Sequence, residues 1–148
     1  MNNSLVGERV LELLMLPDGD VLFFKTDEDK GIKFAVDGYC CSCSYFHEID
    51  VVDNLLGQVV NSCEEIPLPD SLATSLDTNY NPKYKYSIEY YGIEIRTNKG
   101  TTRIIYRNES NGYYGGWCDC QGEVDLPPSG LITITKDGDL YKENCDGE

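Results

Sequence analysis

A chain of 148 residues with 41% hydrophobic content and a formal charge of −14 is long enough to bury one core, and none of its apolar runs reaches the length of a membrane-spanning helix. With 14 glycines and 6 prolines its composition is not that of a disordered chain, and its acidity excludes a phosphate-binding surface over most of the molecule, so direct nucleic-acid binding is not expected. The N-terminus, MNNSLVGERV, lacks the basic flank, apolar run and small-residue cleavage site of a signal peptide, so the sequence predicts a cytoplasmic protein whose thiols stay reduced.

Residues 9–16, RVLELLML, fit a strand or a short helix. PDGD then turns the chain, because proline fixes φ and Asp-Gly supplies tight-hairpin conformations. VLFFKT (21–26) reads as a strand, DEDKG as a second turn, and IKFAV (32–36) alternates with period two. IDVVDNLLG (49–57) fits one or two helical turns closed by Gly57, and QVVNSCEEI (58–66) returns as a strand. PLPDSLATSLDTNYNPK (67–83) has loop composition. YKYSIEYYGIEIRT (84–97), the turn NKG and TTRIIYR (101–107) make a second β-rich unit, and LITIT (131–135) and DLYKE (139–143) flank a KDG turn. The expected fold is mainly β (α+β): one domain over residues 1–148, with antiparallel sheets, one short helix, a loop over about 67–83 and an acidic tail from about 136.

Charge is uneven along the chain. Residues 1–79 carry 15 acids and 4 bases, residues 80–117 carry 3 and 6, and residues 118–148 carry 8 and 2. This balance suits a basic protein partner, including one whose groove normally holds nucleic acid; acidity that only maintains solubility is the plainer reading.

Cys40, Cys41, Cys43 and the chain's one histidine, His47, fall within eight positions, and Cys118 and Cys120 follow Trp117. Side chains at i and i+2 of an extended strand share a face, so Cys41 with Cys43, and Cys118 with Cys120, project as two pairs. Face to face they would supply the four thiolates of a closed structural zinc site, stapling the first β-unit to the last third of the chain. Cys40 and His47 are alternative ligands. Buried free thiols and a redox or disulfide role are the competing readings, and Cys63 and Cys145 are read as structural.

Catalytic motifs are scarce. One histidine leaves one candidate base near neutral pH, GYYGG is not a phosphate loop, and HEID lacks the second histidine of a zinc-protease helix. A Cys–His pair of Cys43 or Cys118 with His47 is the arrangement left open, and the sequence is read as non-enzymatic. Residues 80–117 hold eight of 11 tyrosines, the lone Trp117 and six of 12 basic residues. These types suit binding hot spots, although strand packing explains most of them; Tyr113 and Tyr114, in a turn, are the expected exposed exceptions.

The blocks LVGERVLEL, DGYCC, EIDVVDNLLGQVV and ESNGYYGG, in that order, resemble a family of small proteins encoded by bacteriophages and prophages of Gram-positive bacteria, a domain of unknown function. Cys43, Cys118 and Cys120 depart from its pattern, so a zinc site would belong to this branch alone. The resemblance implies context rather than chemistry: an antagonist of defence in the host bacterial cytoplasm. In size and charge the chain is also similar to type II anti-CRISPR proteins, some of which are acidic and bind Cas9, an enzyme with positively charged nucleic-acid channels. The expected function is non-enzymatic inhibition of a host nucleic-acid enzyme, most specifically Cas9. The chain would dock through Asp27, Glu28, Asp29, Glu64 and Glu65 with Tyr113 and Tyr114. The alternatives are a nucleotide second-messenger binder centred on Arg103, Arg107, Tyr113 and Tyr114, and a phage structural or assembly protein.

Overall fold

The computed structural model describes residues 4–38, 43–68, 87–110 and 116–140. Their strands are β1 (Glu12–Met15), β2 (Val21–Lys25), β3 (Lys30–Gly38), β4 (Cys43–Asp50), β5 (Val60–Pro67), β6 (Ser87–Thr97), β7 (Gly100–Ser110), β8 (Gly116–Asp125), β9 (Ile132–Ile134) and β10 (Gly138–Asp139). They form two five-stranded antiparallel sheets, ordered β8-β3-β2-β1-β9 and β10-β4-β7-β6-β5.

Alternation puts the core between the sheets. Leu13, Met15, Leu22, Phe24, Ile32, Phe34 and Val36 meet Phe46, Ile49, Ile93, Ile95, Ile104 and Tyr106 there, with the Phe24 and Phe34 rings 4.8 Å apart. Each buried phenylalanine contributes about 1.5–3 kcal/mol of transfer free energy. The unbroken apolar run of β2 has a simple cause, since both its faces are covered. Leu22 and Phe24 point into the core, while Val21 and Phe23 pack with Leu14 against Leu16, Val124, Leu126 and Leu131 on the far side of the sheet. The PDGD turn closes as expected, with Gly19 at φ +77° and its N–H donating to the Leu16 carbonyl at 2.9 Å.

The helix expected at 49–57 does not form, so the described residues are all-β apart from one 3-10 turn, rather than α+β. Strand β4 continues through Asp50, and Val52–Asn54 make a single 3-10 turn. The β-branched run Ile49, Val51, Val52 favours extended backbone, and side chains capture the polar groups a helix would pair internally. Thr102 Oγ1 donates to the Val51 carbonyl at 2.7 Å, and Asp137 Oδ1 accepts from the Val52 N–H at 2.8 Å. Val51 is left at φ +58° and ψ +53°, a left-handed conformation that costs a β-branched residue about 1–2 kcal/mol. Gly57 does end the turn, at φ +79°.

Two other boundaries differ in kind. The KDG segment does not close a hairpin, because β9 pairs with β1 and β10 with β4, which carries the chain from one sheet to the other. Of the expected loop, Pro67 and Leu68 are described and residues 69–83 lie outside the described set, as do residues 141–148 of the acidic tail. Among the described residues no helix is long and apolar enough to cross a membrane.

Candidate functional site

Two of the proposed zinc ligands face one interior and a third faces away from it. Cys118 and Cys120 lie on β8 opposite Val36 and Phe34, buried in the core between the sheets and outside any disulfide. Cys43 opens β4 opposite Glu109. Its neighbours two residues along and across, Tyr45 and Arg107, are on the outer face of their sheet, since Phe46 and Tyr106 occupy the core face. Cys43 is moreover disulfide-bonded, which removes it as a thiolate ligand; Cys40 and Cys41 lie outside the described residues. Among the described residues no three His, Cys, Asp or Glu side chains are placed to hold a metal ion, so the zinc staple expected from the Cys-x-Cys pairs is withdrawn from the fold.

Cys63, expected to be merely structural, is the thiol that does join Cys118 and Cys120. Burial raises its pKa to about 12, with the nearby Cys120 adding to the shift, and burial followed by the Glu65 charge raises that of Cys118. A thiol held protonated is neither a nucleophile nor a good ligand. These sulfurs are small apolar groups filling the seam between β5 and β8.

Arg107 sits in a row across three strands, with Tyr45 opposite on β4 and Tyr90 opposite on β6. Its Nε–H donates to the Tyr90 hydroxyl at 3.3 Å, Nη2 meets Glu109 Oε1 at 2.9 Å, and the guanidinium carbon lies 5.5 Å from the Tyr45 ring centroid. The His47 ring stands edge-on to Tyr90 at 5.2 Å, at the bulge where β4 gains a residue on β7. Burial opposes the charge on Arg107, but Tyr45, Tyr90 and Glu109 more than offset it, so the group stays charged. This arginine is enclosed and already engaged. Arg103, two pairs further along the same face, reaches Asp50 at 4.0 Å, and Tyr113 and Tyr114 lie outside the described residues.

The acidic residues are the ones the fold gathers. Asp27, Glu28 and Asp29 are exposed at the β2–β3 turn, and the Leu126 N–H just past β8 donates to the Asp29 carbonyl at 2.8 Å, tying that turn to the end of β8. Along β8 itself Asp119, Glu123 and Asp125 are exposed. Glu64 and Glu65 are exposed on β5, the edge strand of the other sheet; the Glu64 charge acts on its neighbour Cys63, and that of Glu65 reaches Cys118 across the seam. Glu65 also accepts a hydrogen bond at 2.9 Å from the hydroxyl of the buried Tyr106, whose ring stacks on Tyr91 at 4.8 Å. A cleft of about 520 Å³ beside it is lined by Val6, Asn61, Ser62, Cys63 and Glu64. One flank of the sandwich therefore carries eight carboxylates from three segments, the β2–β3 turn, β8 and β5. Asp119, Glu123 and Asp125 were missed in the sequence; the period-two spacing of CDCQGEVD signals them only once β8 is known to be an edge.

Cations do not neutralise this flank. Lys25, Lys30, Arg96, Arg103 and Arg107 each lie within 4.0 Å of a carboxylate; on the flank itself Lys30 stands beside Glu123, Lys33 lies on β3 next to β8 and Arg96 on β6 interacts with Glu64, fewer cations than carboxylates. The excess of bases in residues 80–117 thus produces no basic patch from Arg96, Arg103 and Arg107.

Residues 3–120 match the family model described as a domain of unknown function (DUF7448), and the chain belongs to that family. It is 30% identical over 104 residues to "Uncharacterized protein L278" of Acanthamoeba polyphaga mimivirus, covering 67% of this chain and 73% of the relative. No solved structure matches. The family likeness read from the sequence holds at this level, a domain of unknown function with a viral member.

Proposed function

We propose that this member of the DUF7448 family is a non-enzymatic binding protein that docks its acidic flank on a basic, nucleic-acid-handling protein of the host. The observation that carries the reading is the convergence of Asp27, Glu28, Asp29, Glu64, Glu65, Asp119, Glu123 and Asp125 on one side of the sandwich, where they outnumber the neighbouring Lys30, Lys33 and Arg96. A surface of single sign attracts a complementary one at long range and accelerates encounter. Inhibition of Cas9, in the manner of anti-CRISPR proteins, is the narrowest form of the proposal. A relative in a virus of amoebae widens the target to basic nucleic-acid enzymes as a class, with Cas9 the first to assay. The enclosure of Arg107 takes that residue out of the nucleotide-binding alternative.

The test is titration of the immobilised protein with Cas9, with and without guide RNA, across rising salt. Affinity should fall about tenfold or more between low and physiological ionic strength, as screening closes to about 8 Å, and Glu64→Lys/Glu65→Lys should weaken it further. Binding indifferent to salt and to those substitutions would remove the acidic flank from the interface, and absence of binding would remove Cas9 as the target.

A further inference from the structure

We propose that β8 is a docking edge, where an extended basic segment of the partner adds as a sixth strand to the β8-β3-β2-β1-β9 sheet. This rests on the basic-partner reading above and specifies how contact is made.

Hydrogen-bond parity shows which main-chain groups of β8 are open. The Val36 N–H donates to the Asp20 carbonyl at 2.9 Å, and the Thr26 N–H to the Lys30 carbonyl at 3.0 Å. The even-numbered residues of β3 therefore turn their main-chain groups toward β2. In an antiparallel pair, the residues opposite them on the other side must turn theirs outward. Those residues are Gly116 opposite Gly38, Cys118 opposite Val36, Cys120 opposite Phe34, Glu123 opposite Ile32 and Asp125 opposite Lys30, and of these the Gly116 N–H already donates to the Tyr91 hydroxyl at 3.3 Å. The odd set agrees, because the Leu126 N–H points back to the Asp29 carbonyl. Four residues thus present N–H and C=O groups along an edge of 10 residues to which no described strand pairs.

The other edges are not comparable. Strands β9 and β10 have 3 and 2 residues. On β5 the outward groups of Val60 are taken by the Gly7 N–H at 2.8 Å and the Glu8 carbonyl at 2.9 Å, and the strand ends at Pro67. An open edge is a template for strand addition. Charge selects the occupant: Glu123 and Asp125 stand on it, Asp119 lies between its open positions, and Asp27, Glu28 and Asp29 flank its end. A second copy would bring another net charge of −14. A strand bearing Arg or Lys meets the opposite situation.

The experiment is amide hydrogen exchange by NMR on the full chain at about 50 mM salt, with and without a peptide of alternating arginine and threonine as long as β8. The amides of Cys118, Cys120, Glu123 and Asp125 should slow at least about tenfold on saturation, while Asp119 and Val124, already bonded to β3, should not change. N-methylation of alternate peptide residues should weaken binding about tenfold in one frame and about twofold or less in the other, since only one frame donates to the protein. Asp125→Pro should bind more weakly than Asp125→Asn, which loses the charge and keeps the N–H. Binding that leaves the four edge amides unchanged and treats both methylated frames alike would overturn strand addition while leaving the acidic flank as an interface. Protection of those amides without peptide, rising with protein concentration, would overturn it in favour of a second copy. Failure of the peptide to bind overturns it outright, and the salt titration against Cas9 then decides the underlying reading on its own.

Discussion

Replacing Cys118 and Cys120 together by alanine separates packing from metal binding by its size. Both side chains are buried against core residues of the opposite sheet, and each substitution removes one group comparable to a methylene, worth about 0.8 kcal/mol of transfer. A residual cavity adds a term of similar order, so each alanine should cost about 1–2 kcal/mol and the pair about 2–4 kcal/mol. Serine should be worse at the same positions, because a hydroxyl desolvated without a partner adds about 1–3 kcal/mol apiece. A zinc staple would behave differently: either double variant would lose a binding energy on the order of 10 kcal/mol and would fail to fold. Urea unfolding in reducing buffer, extrapolated linearly to water, reads the difference. Ordered losses, parent above alanine above serine, are expected. Equal collapse of both variants, with one equivalent of zinc in the parent, would refute the packing account of these thiols.

Individual side chains yield three more expected outcomes. Folding raises the Glu48 pKa above its ordinary 4.5, first through burial and then through the charges of Asp139 and Asp50. The stability linked to its protonated form is therefore complete below that value and is lost as pH rises through the folded pKa. Glu48→Gln should melt above the parent at pH 7 and match it near pH 4, and equal melting at both pH values would contradict the assignment. Val51→Asn relieves a β-branched residue at φ +58° and should stabilise by about 1 kcal/mol, raising the melting temperature by about 2–4 °C; a lower melting temperature would count against strain there. Removing the acceptor should hurt more than removing the donor at the Tyr106–Glu65 bond. Tyr106→Phe leaves Glu65 to water at about 1 kcal/mol, whereas Glu65→Ala strands a buried hydroxyl at up to about 3 kcal/mol, an order that denaturant titration of the two variants would show or reverse.

Most strands were legible because their pattern and their burial agree. IKFAV alternates as a half-buried strand should, and VLFFK is apolar throughout because β2 is covered on both faces. The segment after His47 misled for a local reason. IDVVDNLLG has the apolar spacing of a helix, yet Thr102 and Asp137, fifty and more residues away in sequence, hold Val51 and Val52 in another conformation. Tertiary contacts of that range leave no trace in local spacing. The cysteine pairs misled in the same way. Period two correctly places Cys118 and Cys120 on one face, but it cannot say that Cys43 belongs to the far face of the other sheet, which is set by β4 pairing with β7. The acids were legible as charge, and their convergence was not, because it depends on β5 and β8 being edges on the same side.

On β8 the open main-chain groups and the buried side chains belong to the same residues, and this limits how the edge can be defended. Cys118 and Cys120 turn their amides outward and their sulfurs into the core, so neither position can take the charged side chain or proline with which proteins usually blunt an edge without damaging the packing. Defence is possible only beyond the irregularity between Ile32 and Phe34, where Gly122 at φ +80° lets the strand gain a residue and Glu123 and Asp125 come free of the core. The carboxylates stand there. A neutral strand approaching the open half at Cys118 and Cys120 would have to strip water from two charges further along, a penalty of several kcal/mol per ion when unpaired; a basic strand pairs them instead. The same acids that keep the edge from its own kind therefore admit one class of partner, and the requirement is set by core packing as much as by surface charge.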